Sequence, residues 1–319
     1  MPATASQRMK SSGRAAPAPA AGGKERAFAA PSARFHHVNV DGLKPGTPYR
    51  FRVESDGAKA EGAFRTAVKP GRPFTFAAWG DNRSQPERHA EVAAALTKFK
   101  PDFILNTGDL VAYGPGEPLW TQFFEIERAL LRASPVYAVP GNHEMNASAY
   151  FAYFPFPHDF TFDYGDAHFV ALDSNLSAAN LAKQVEWLKA DLAAHQSARW
   201  RIVFLHHPVY TCTDRPARRG EAEVTRKRLE QTLQDGRVQL VLSGHDHNYQ
   251  RHEAEGITYI VTGGGGAPLY DLKADTPNVK AAKAAHHHVE VSVQQDLMKV
   301  RAVEPTGAVI DSFEIRSAR

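Results

Sequence analysis

The distribution of apolar positions divides the chain into three regions. Residues 1–33 are mostly Ala, Pro, Ser and Gly with almost no large apolar side chains. We expect them to form a disordered tail, because they bury too little apolar surface to offset the entropy of ordering. Residues 34–69 alternate between polar and apolar positions, which predicts a small antiparallel β segment with strands at 34–40, 50–54 and 62–68. Residues 70–319 form the third region.

In this third region, short apolar runs alternate with amphipathic stretches. The predicted strands lie at 74–79, 102–106, 135–139, 159–164, 168–173, 201–205, 238–243 and 258–261. The predicted helices lie at 86–98, 119–132, 182–194 and 221–234. The last runs, at 288–293, 298–303 and 309–315, predict strands without helices between them. Alternation followed by strands alone indicates an α/β fold, a two-sheet αββα sandwich with its helices outside.

Polar side chains follow five of these strands. They are Asp81, Asp109, Asn142, His206 and the pair His245 and His247. Open α/β sheets bind ligands at the carboxyl ends of their strands, and two carboxylates, an amide and three imidazoles suit two borderline metal ions. Two-metal hydrolysis needs a bridging carboxylate, for which Asp109 is the natural candidate. Adjacent strand residues point to opposite faces, so we expect only one of His206 and His207 to be a ligand.

The composition of the chain limits the kinds of metal site and of binding partner that we expect. The single cysteine excludes an internal disulfide and a cysteine-based zinc site. A net charge of +3 does not predict a nucleic-acid partner, and no apolar run is long enough to predict a membrane span. The first 30 residues lack the apolar stretch of a secretory signal. If the true start lies upstream, we expect a periplasmic or secreted protein.

The strand-end residues fall in five ordered blocks that resemble those of the calcineurin-like metallophosphoesterases. The blocks are Gly80-Asp81, Gly108-Asp109, Gly141-Asn142-His143-Glu144, Val203-Phe204-Leu205-His206 and Gly244-His245-Asp246-His247. The resemblance covers about residues 72–315, and residues 244–251 are most similar to the purple acid phosphatase branch, of bacterial type. Residues 42–49 resemble the second half of a fibronectin type III sandwich, with Tyr49 at a strand corner. Residues 34–69 are therefore expected to be a partial unit of that type.

The resemblance also implies roles for individual residues. Asp81, Asp109 and His247 would hold the first metal, while Asp109, Asn142, His206 and His245 would hold the second. A hydroxide between the metals would attack phosphorus. His143 would bind the phosphoryl group or protonate the leaving alkoxide, which makes it the candidate catalytic residue beside Asp109.

The resemblance defines the substrate contacts and the identity of the metals less closely than it defines the metal ligands. Further candidates for phosphate contacts are Asn82, Arg83 and Arg251, because arginine matches phosphate oxygens well. Purple acid phosphatases carry a tyrosinate ligand at the position of Ala112, so Tyr113 is a candidate ligand only through a one-residue bulge. Other members have a metal-binding histidine at the position of Arg83. The two metals could accordingly be Fe, Mn or Zn.

We therefore expect metal-dependent hydrolysis of a small phosphorylated substrate, most simply a phosphomonoester. A phosphodiesterase and a non-catalytic binding protein that keeps the fold remain alternatives. Three other features are expected to be structural only. The glycines at 263–266 are expected to form a flexible turn, and the histidines at 286–288 an exposed strand start. The basic residues between 215 and 228 are expected to form a solvated helix face.

Overall fold

The computed structural model describes residues 3–4, 37–55 and 57–317. Its strands are β1 (Ala3–Thr4), β2 (Pro48–Ser55), β3 (Ala58–Arg65), β4 (Phe74–Trp79), β5 (Phe103–Asn106), β6 (Val136–Ala138), β7 (Phe160–Tyr164), β8 (Ala167–Leu172), β9 (Trp200–Leu205), β10 (Leu240–Ser243), β11 (Tyr249–Ala254), β12 (Ile257–Thr262), β13 (Val279–Lys283), β14 (His288–Gln294), β15 (Leu297–Val303) and β16 (Val309–Arg316). Its α-helices are α1 (Pro86–Phe99), α2 (Glu117–Ile126), α3 (Arg128–Leu131), α4 (Ser148–Tyr153), α5 (Ala178–Ala194) and α6 (Pro216–Asp235). Asn142–Glu144 forms a short 3-10 turn.

Two large sheets form the body of the protein. One is six-stranded, in the order β16-β15-β14-β4-β5-β6, and the other is seven-stranded, in the order β13-β11-β12-β10-β9-β8-β7. Their facing surfaces meet in an aromatic core, where the ring of Phe169 lies 5.4 Å from that of Phe76 and 5.3 Å from that of Phe103. Edge-to-face rings at this separation are favourable beyond the area they bury. The two-sheet prediction is therefore confirmed.

Helices cover the outer faces of both sheets. Leu188 of α5 and Leu229 of α6 pack with Val203 of β9. Leu96 of α1 packs with Ile104 of β5 on the other side. The central strands are thus buried on both faces, which is why their sequences read as continuous apolar runs. Among the described residues, no helix is long and apolar enough to cross a bilayer.

The N-terminal segment docks on the sandwich. β2 and β3 pair antiparallel, and the backbone N–H of Ala63 donates to the carbonyl of Arg132 at 2.8 Å. The hydroxyl of Tyr49 accepts from the N–H of Lys44 at 2.9 Å, the kind of bond expected of a corner tyrosine. The strand predicted at 34–40 is irregular over its described residues 37–40, and 34–36 lie outside the described part. The fibronectin-like assignment and the boundary at residue 70 stay predictions, and residues 1–33 are described only at Ala3–Thr4.

Several boundaries differ from prediction for local reasons. β11 and β13 carry many polar residues, which hid them from a search for apolar runs. The helix predicted at 119–132 is interrupted at Glu127, whose buried carboxylate pairs with Nε2 of His89 at 2.9 Å. Helix α6 starts at Pro216, five residues earlier than predicted, because proline suits the first helical turn.

The glycine run and the histidines after it are buried rather than exposed. His287 and His288 are both at most 1% exposed, so the prediction of an exposed strand start was wrong. A Cβ at Gly264 would lie 2.2 Å from Nδ1 of His287, and one at Gly265 would lie 2.3 Å from the carbonyl oxygen of Gly80. The glycines are therefore needed for close packing between strands, and the expected flexible turn is a packed one.

Truncation in the inter-sheet core should be costly. Phe103→Ala removes a ring that packs on both sheets, so we expect it to lower the free energy of unfolding by roughly 3–5 kcal/mol. Val309→Ala, at a position 49% exposed, should change it by less than about 0.5 kcal/mol. Urea denaturation followed by circular dichroism measures both. Equal stability of the two variants would contradict the assigned core.

Candidate metal centre

The predicted ligands come from adjacent strands of the two sheets. Asp81, Asp109 and Asn142 follow β4, β5 and β6, which are neighbours in the six-stranded sheet. His206 follows β9, and His245 and His247 follow β10, its neighbour in the seven-stranded sheet. Both groups lie at the carboxyl ends of parallel strands. The sandwich therefore brings the ligands of both sheets to one edge.

Unusual backbone conformations aim these side chains. Asp81, Asp109 and His245 have φ values of 56°, 57° and 70°, in the left-handed region that non-glycine residues seldom adopt. Such strain persists where the surroundings impose it and clusters at functional sites. Gly141 permits the tight approach of two loops, because a Cβ there would lie 2.1 Å from Oδ1 of Asp109.

The second-metal ligands present lone pairs to one another. Nδ1 of His206 lies 2.9 Å from the carbonyl oxygen of Thr107, which only accepts, so Nδ1 carries the proton and a neutral ring has its lone pair on Nε2. That Nε2 lies 3.1 Å from Oδ1 of Asn142 and 3.5 Å from Oδ1 of Asp109. Nδ1 of His245 is 3.0 Å away. Converging acceptors of this kind fit a bound cation, with the Thr107 carbonyl orienting the imidazole.

The residues assigned to the first metal also present acceptor atoms to one another. Nδ1 of His247 donates to the carbonyl of Pro268 at 2.7 Å, leaving Nε2 to face Oδ1 of Asp81 at 3.4 Å. Oδ2 of Asp81 accepts from the N–H of His245 at 2.8 Å. Oδ1 is buried and has no hydrogen-bond partner among the described residues. A buried, unpartnered carboxylate oxygen is costly, so this donor set fits a metal ion.

Asp109 lies between the two sides, as a bridging ligand requires. Oδ1 accepts from the N–H of His143 at 2.9 Å, while Oδ2 accepts from Nε of Arg83 at 3.0 Å. Burial opposes ionisation of Asp109, but the charges of His206, Arg83 and His143 and the N–H bond outweigh it and lower its pKa. Asp81, Asp109 and His206 offer ligand atoms that all lie within 4.8 Å of one another.

Glu144 ends the block Gly141-Asn142-His143-Glu144, and no role was predicted for it from the sequence. Its buried carboxylate accepts three backbone N–H bonds, from Gly141 at 2.6 Å, Asp109 at 2.8 Å and Val111 at 3.1 Å. Burial and the nearby Asp109 charge raise the pKa of Glu144 to about 8, against the lowering effect of these donors. Glu144 thus ties the loop after β5 to the loop after β6.

His143 is placed beside the ligands without being one of them. Its Nδ1 donates to the carbonyl of Ala112 at 2.9 Å, and its Nε2 lies 4.0 Å from Oδ2 of Asp109. The side chain is 32% exposed. The ring is therefore oriented by the backbone, with Nε2 accessible to a substrate.

Two arginines border the ligands, one of them unexpectedly. Arg83 lies 3.3 Å from Nε2 of His247 through its second terminal nitrogen. Arg218, which was expected on a solvated helix face, contacts the ring of His245 and pairs with Glu221 at 3.0 Å. The early start of α6 brings this residue to the site. The spacing of Arg218 and Glu221 was the only available signal, since i and i+3 share a helix face.

The remaining predicted site residues are Asn82, Arg251 and Tyr113, and their described contacts differ. Asn82 is buried, and its Oδ1 accepts from Asn106, while its Nδ2 has no partner among the described residues. Arg251 is tied to Asp311 through its Nε at 2.7 Å and lies over the ring of Phe313, so its described contacts are structural.

Tyr113 is 52% exposed, and one of its ring carbons lies near Gly116. No described contact joins Tyr113 to the ligand atoms, so the one-residue bulge is not seen.

A second group of potential ligands, Asp163, His168 and His195, does not fit an ion. The two imidazole rings stack at 3.7 Å with only 10° between their planes, so one ion cannot lie in both ring planes. Both nitrogens of His168 already face carboxylates, of Asp163 at 2.7 Å and Asp191 at 2.8 Å. This histidine is therefore explained by hydrogen bonding.

Glu144→Gln should loosen the centre while leaving the fold intact. An amide nitrogen would oppose a backbone N–H, so we expect a loss of roughly 1–3 kcal/mol in stability and about 10–100-fold weaker metal binding. Thermal denaturation and metal titration measure the two effects. The matched control is Glu125→Gln on the exposed face of α2. If the two variants bind metal equally well, the role given to Glu144 is wrong.

The sequence has relatives among known proteins. Purple acid phosphatase 21 from Arabidopsis thaliana is 30% identical over 265 residues, covering 76% of this chain and 56% of that protein. Purple acid phosphatase 22 from the same plant is 31% identical over 240 residues, covering 69% and 54%. The chain thus spans about half the length of these curated relatives.

Solved structures share the fold. A purple acid phosphatase from yellow lupin (Lupinus luteus) seeds superposes with a TM-score of 0.75 at 19% identity, covering 86% of this chain and 60% of that one. GAP50, the anchor in the inner membrane complex of Plasmodium, superposes at 0.67 and 17% identity, covering 77% and 90%. Residues 74–249, more than half of the chain, match the family model for the calcineurin-like phosphoesterases. This chain therefore belongs to the calcineurin-like phosphoesterase family, and its sequence relatives include purple acid phosphatases.

Proposed function

We propose that this protein hydrolyses phosphate monoesters with two metal ions held at the strand ends. The observation that carries the proposal is the position of Asp109. Its Oδ1 lies 3.5 Å from Nε2 of His206, while its Oδ2 accepts from Arg83, whose terminal nitrogen in turn lies 3.3 Å from Nε2 of His247. The metal ions would stabilise charge on the phosphoryl oxygens and lower the pKa of water, as in other two-metal hydrolases.

His143 is the proposed general acid. The bond from its Nδ1 to the Ala112 carbonyl holds the ring, and the partly exposed Nε2 points away from that bond. In the imidazolium form both ring nitrogens carry protons, so a leaving alkoxide within hydrogen-bond reach would take the proton on Nε2 as the ester bond breaks, while Nδ1–H stays bonded to Ala112. Since His143 also donates its backbone N–H to Asp109, its position is coupled to that of the bridging ligand.

The charge around the site supports a monoester in preference to a diester. Arg83 and Arg218 border opposite groups of ligands, and their side chains are 11% and 18% exposed. A monoester can carry one more negative charge than a diester, so Arg83 favours it more strongly, whereas the charge of Arg218 is offset by Glu221 and Asp246. Asn82 adds a buried amide donor beside Asp81.

Activity assays test this proposal. With Mn²⁺ or Zn²⁺ bound, we expect turnover of an aryl phosphate monoester and much slower turnover of the diester. His143→Ala should lower kcat about 10²–10⁴-fold by removing the proton donor, and Asp109→Asn should remove most activity. His195→Gln is the control, because that histidine has a similar exposure of 35% but lies at the end of α5.

Two outcomes would favour the alternatives. Faster turnover of the diester would indicate a phosphodiesterase at the same centre. No turnover of either ester by the metal-loaded protein would indicate a binding role, for which the Plasmodium anchor with the same fold is a precedent. A rate unchanged in both His143→Ala and Asp109→Asn would exclude the mechanism given above.

A further inference from the structure

The guanidinium of Arg83 lies among the atoms assigned to the first metal. Its Nε donates to Oδ2 of Asp109 at 3.0 Å, and one terminal nitrogen lies 3.3 Å from Nε2 of His247. Nδ1 of His247 donates to the Pro268 carbonyl, so Nε2 is the acceptor in this contact. Arg83 thus uses the lone pairs of two first-metal ligands. The third ligand, Asp81, keeps Oδ1 unpartnered among the described residues.

The arginine on the other side of the centre differs from Arg83. Among the assigned ligands, Arg218 contacts only His245, and its charge is offset by Glu221 at 3.0 Å and by Asp246 at 3.7 Å. Within the described part of the chain, the only carboxylate at ion-pair distance from Arg83 is that of Asp109, the proposed bridging ligand itself. A metal at the first position would therefore meet an uncompensated positive charge, whereas one at the second position would not.

Arg83 also has a contact on the exposed side of the site. Its other terminal nitrogen already donates to Oγ of Ser84 at 3.1 Å, on the exposed side of the residue. Ser84 is exposed and lies in the left-handed region, with φ of 81°. Rotation toward Ser84 would free Asp109 and His247 for a metal and leave the guanidinium at the rim of the site.

We propose that Arg83 is an internal cation of the first metal site. It holds Asp109 and His247 in place when that site lacks its ion, and it must rotate outward for the ion to bind. The two metals consequently bind with unequal affinity, the first one more weakly. This inference rests on the proposed metal centre but concerns metal binding, which can be measured without any substrate.

The expected change in metal affinity follows from the repulsion between Arg83 and the metal ion. Two positive charges a few ångströms apart at a partly buried site repel strongly, so removing one should tighten binding of the other by a large factor. In the wild-type protein we expect two Zn²⁺ equilibria separated by about 100-fold or more in Kd. Arg83→Met, which removes the charge and keeps the length, should tighten the weaker equilibrium at least tenfold and leave the stronger one within about threefold.

The experiment is a calorimetric titration of chelator-treated full-length protein with Zn²⁺, together with metal analysis after dialysis. Arg83→Lys keeps the charge and should keep the weak site. Arg251→Met is the matched control, because Arg251 is similarly buried and also pairs with an aspartate, yet its partner is Asp311, outside the site. Circular dichroism verifies that each variant is folded.

Each outcome bears on the inference. A weak site that is unchanged or weaker in Arg83→Met would show that Arg83 supports the ligands without competing with the metal. If Arg251→Met tightens zinc binding at the weaker site as much as Arg83→Met does, the effect is due to the overall charge of the protein. If no variant binds zinc, the proposed metal centre itself is wrong. The predicted shift without any ester turnover would sustain this inference while overturning the proposed function.

Discussion

The carboxylate of Glu144 is the contact on which the metal centre depends most. It takes the N–H groups of Asp109, Val111 and Gly141, and so joins the loops after β5 and β6. Asp109 is held in a left-handed conformation that residues other than glycine seldom adopt. A buried carboxylate with three fixed donors provides that constraint, because leaving any of those N–H groups unpaired would be costly. The orientation of the proposed bridging ligand therefore depends on a residue that is not itself an assigned ligand.

The sandwich supplies the rest of the geometry. Asp81 and Asp109 come from the six-stranded sheet, whereas His206 and His245 come from the seven-stranded sheet. Aromatic rings from both sheets fix the distance between them, as where Phe169 packs edge-to-face on Phe103. A close-packed core resists sliding, so ligands at its edge keep their separation. Two buried carboxylates at this edge need positive charge, which metal ions and the neighbouring arginines can provide.

The accuracy of prediction varied with the physical origin of each element. Central strands such as β9 were recognised because burial on both faces makes them uniformly apolar. β11 was missed because its buried Gln250 and His252 are polar, and the hydrogen bonds that hold them, to Thr213 and to each other, are not visible in the sequence. Arg251 resembled a phosphate contact by its place in a motif, but Asp311, sixty residues away, takes its guanidinium.

The sequence by itself determined the layered α/β fold and the order of the candidate ligand side chains, because strand burial and strand-end chemistry are local properties. Only the tertiary structure decided how the surrounding charges are distributed. Glu144 binds the loop of Asp109, Arg83 reaches His247, and Arg218 reaches His245. Each contact joins residues on different elements and depends on side-chain paths that neither periodicity nor motif spacing encodes. The proposed difference in affinity between the two metal sites rests on these long-range contacts.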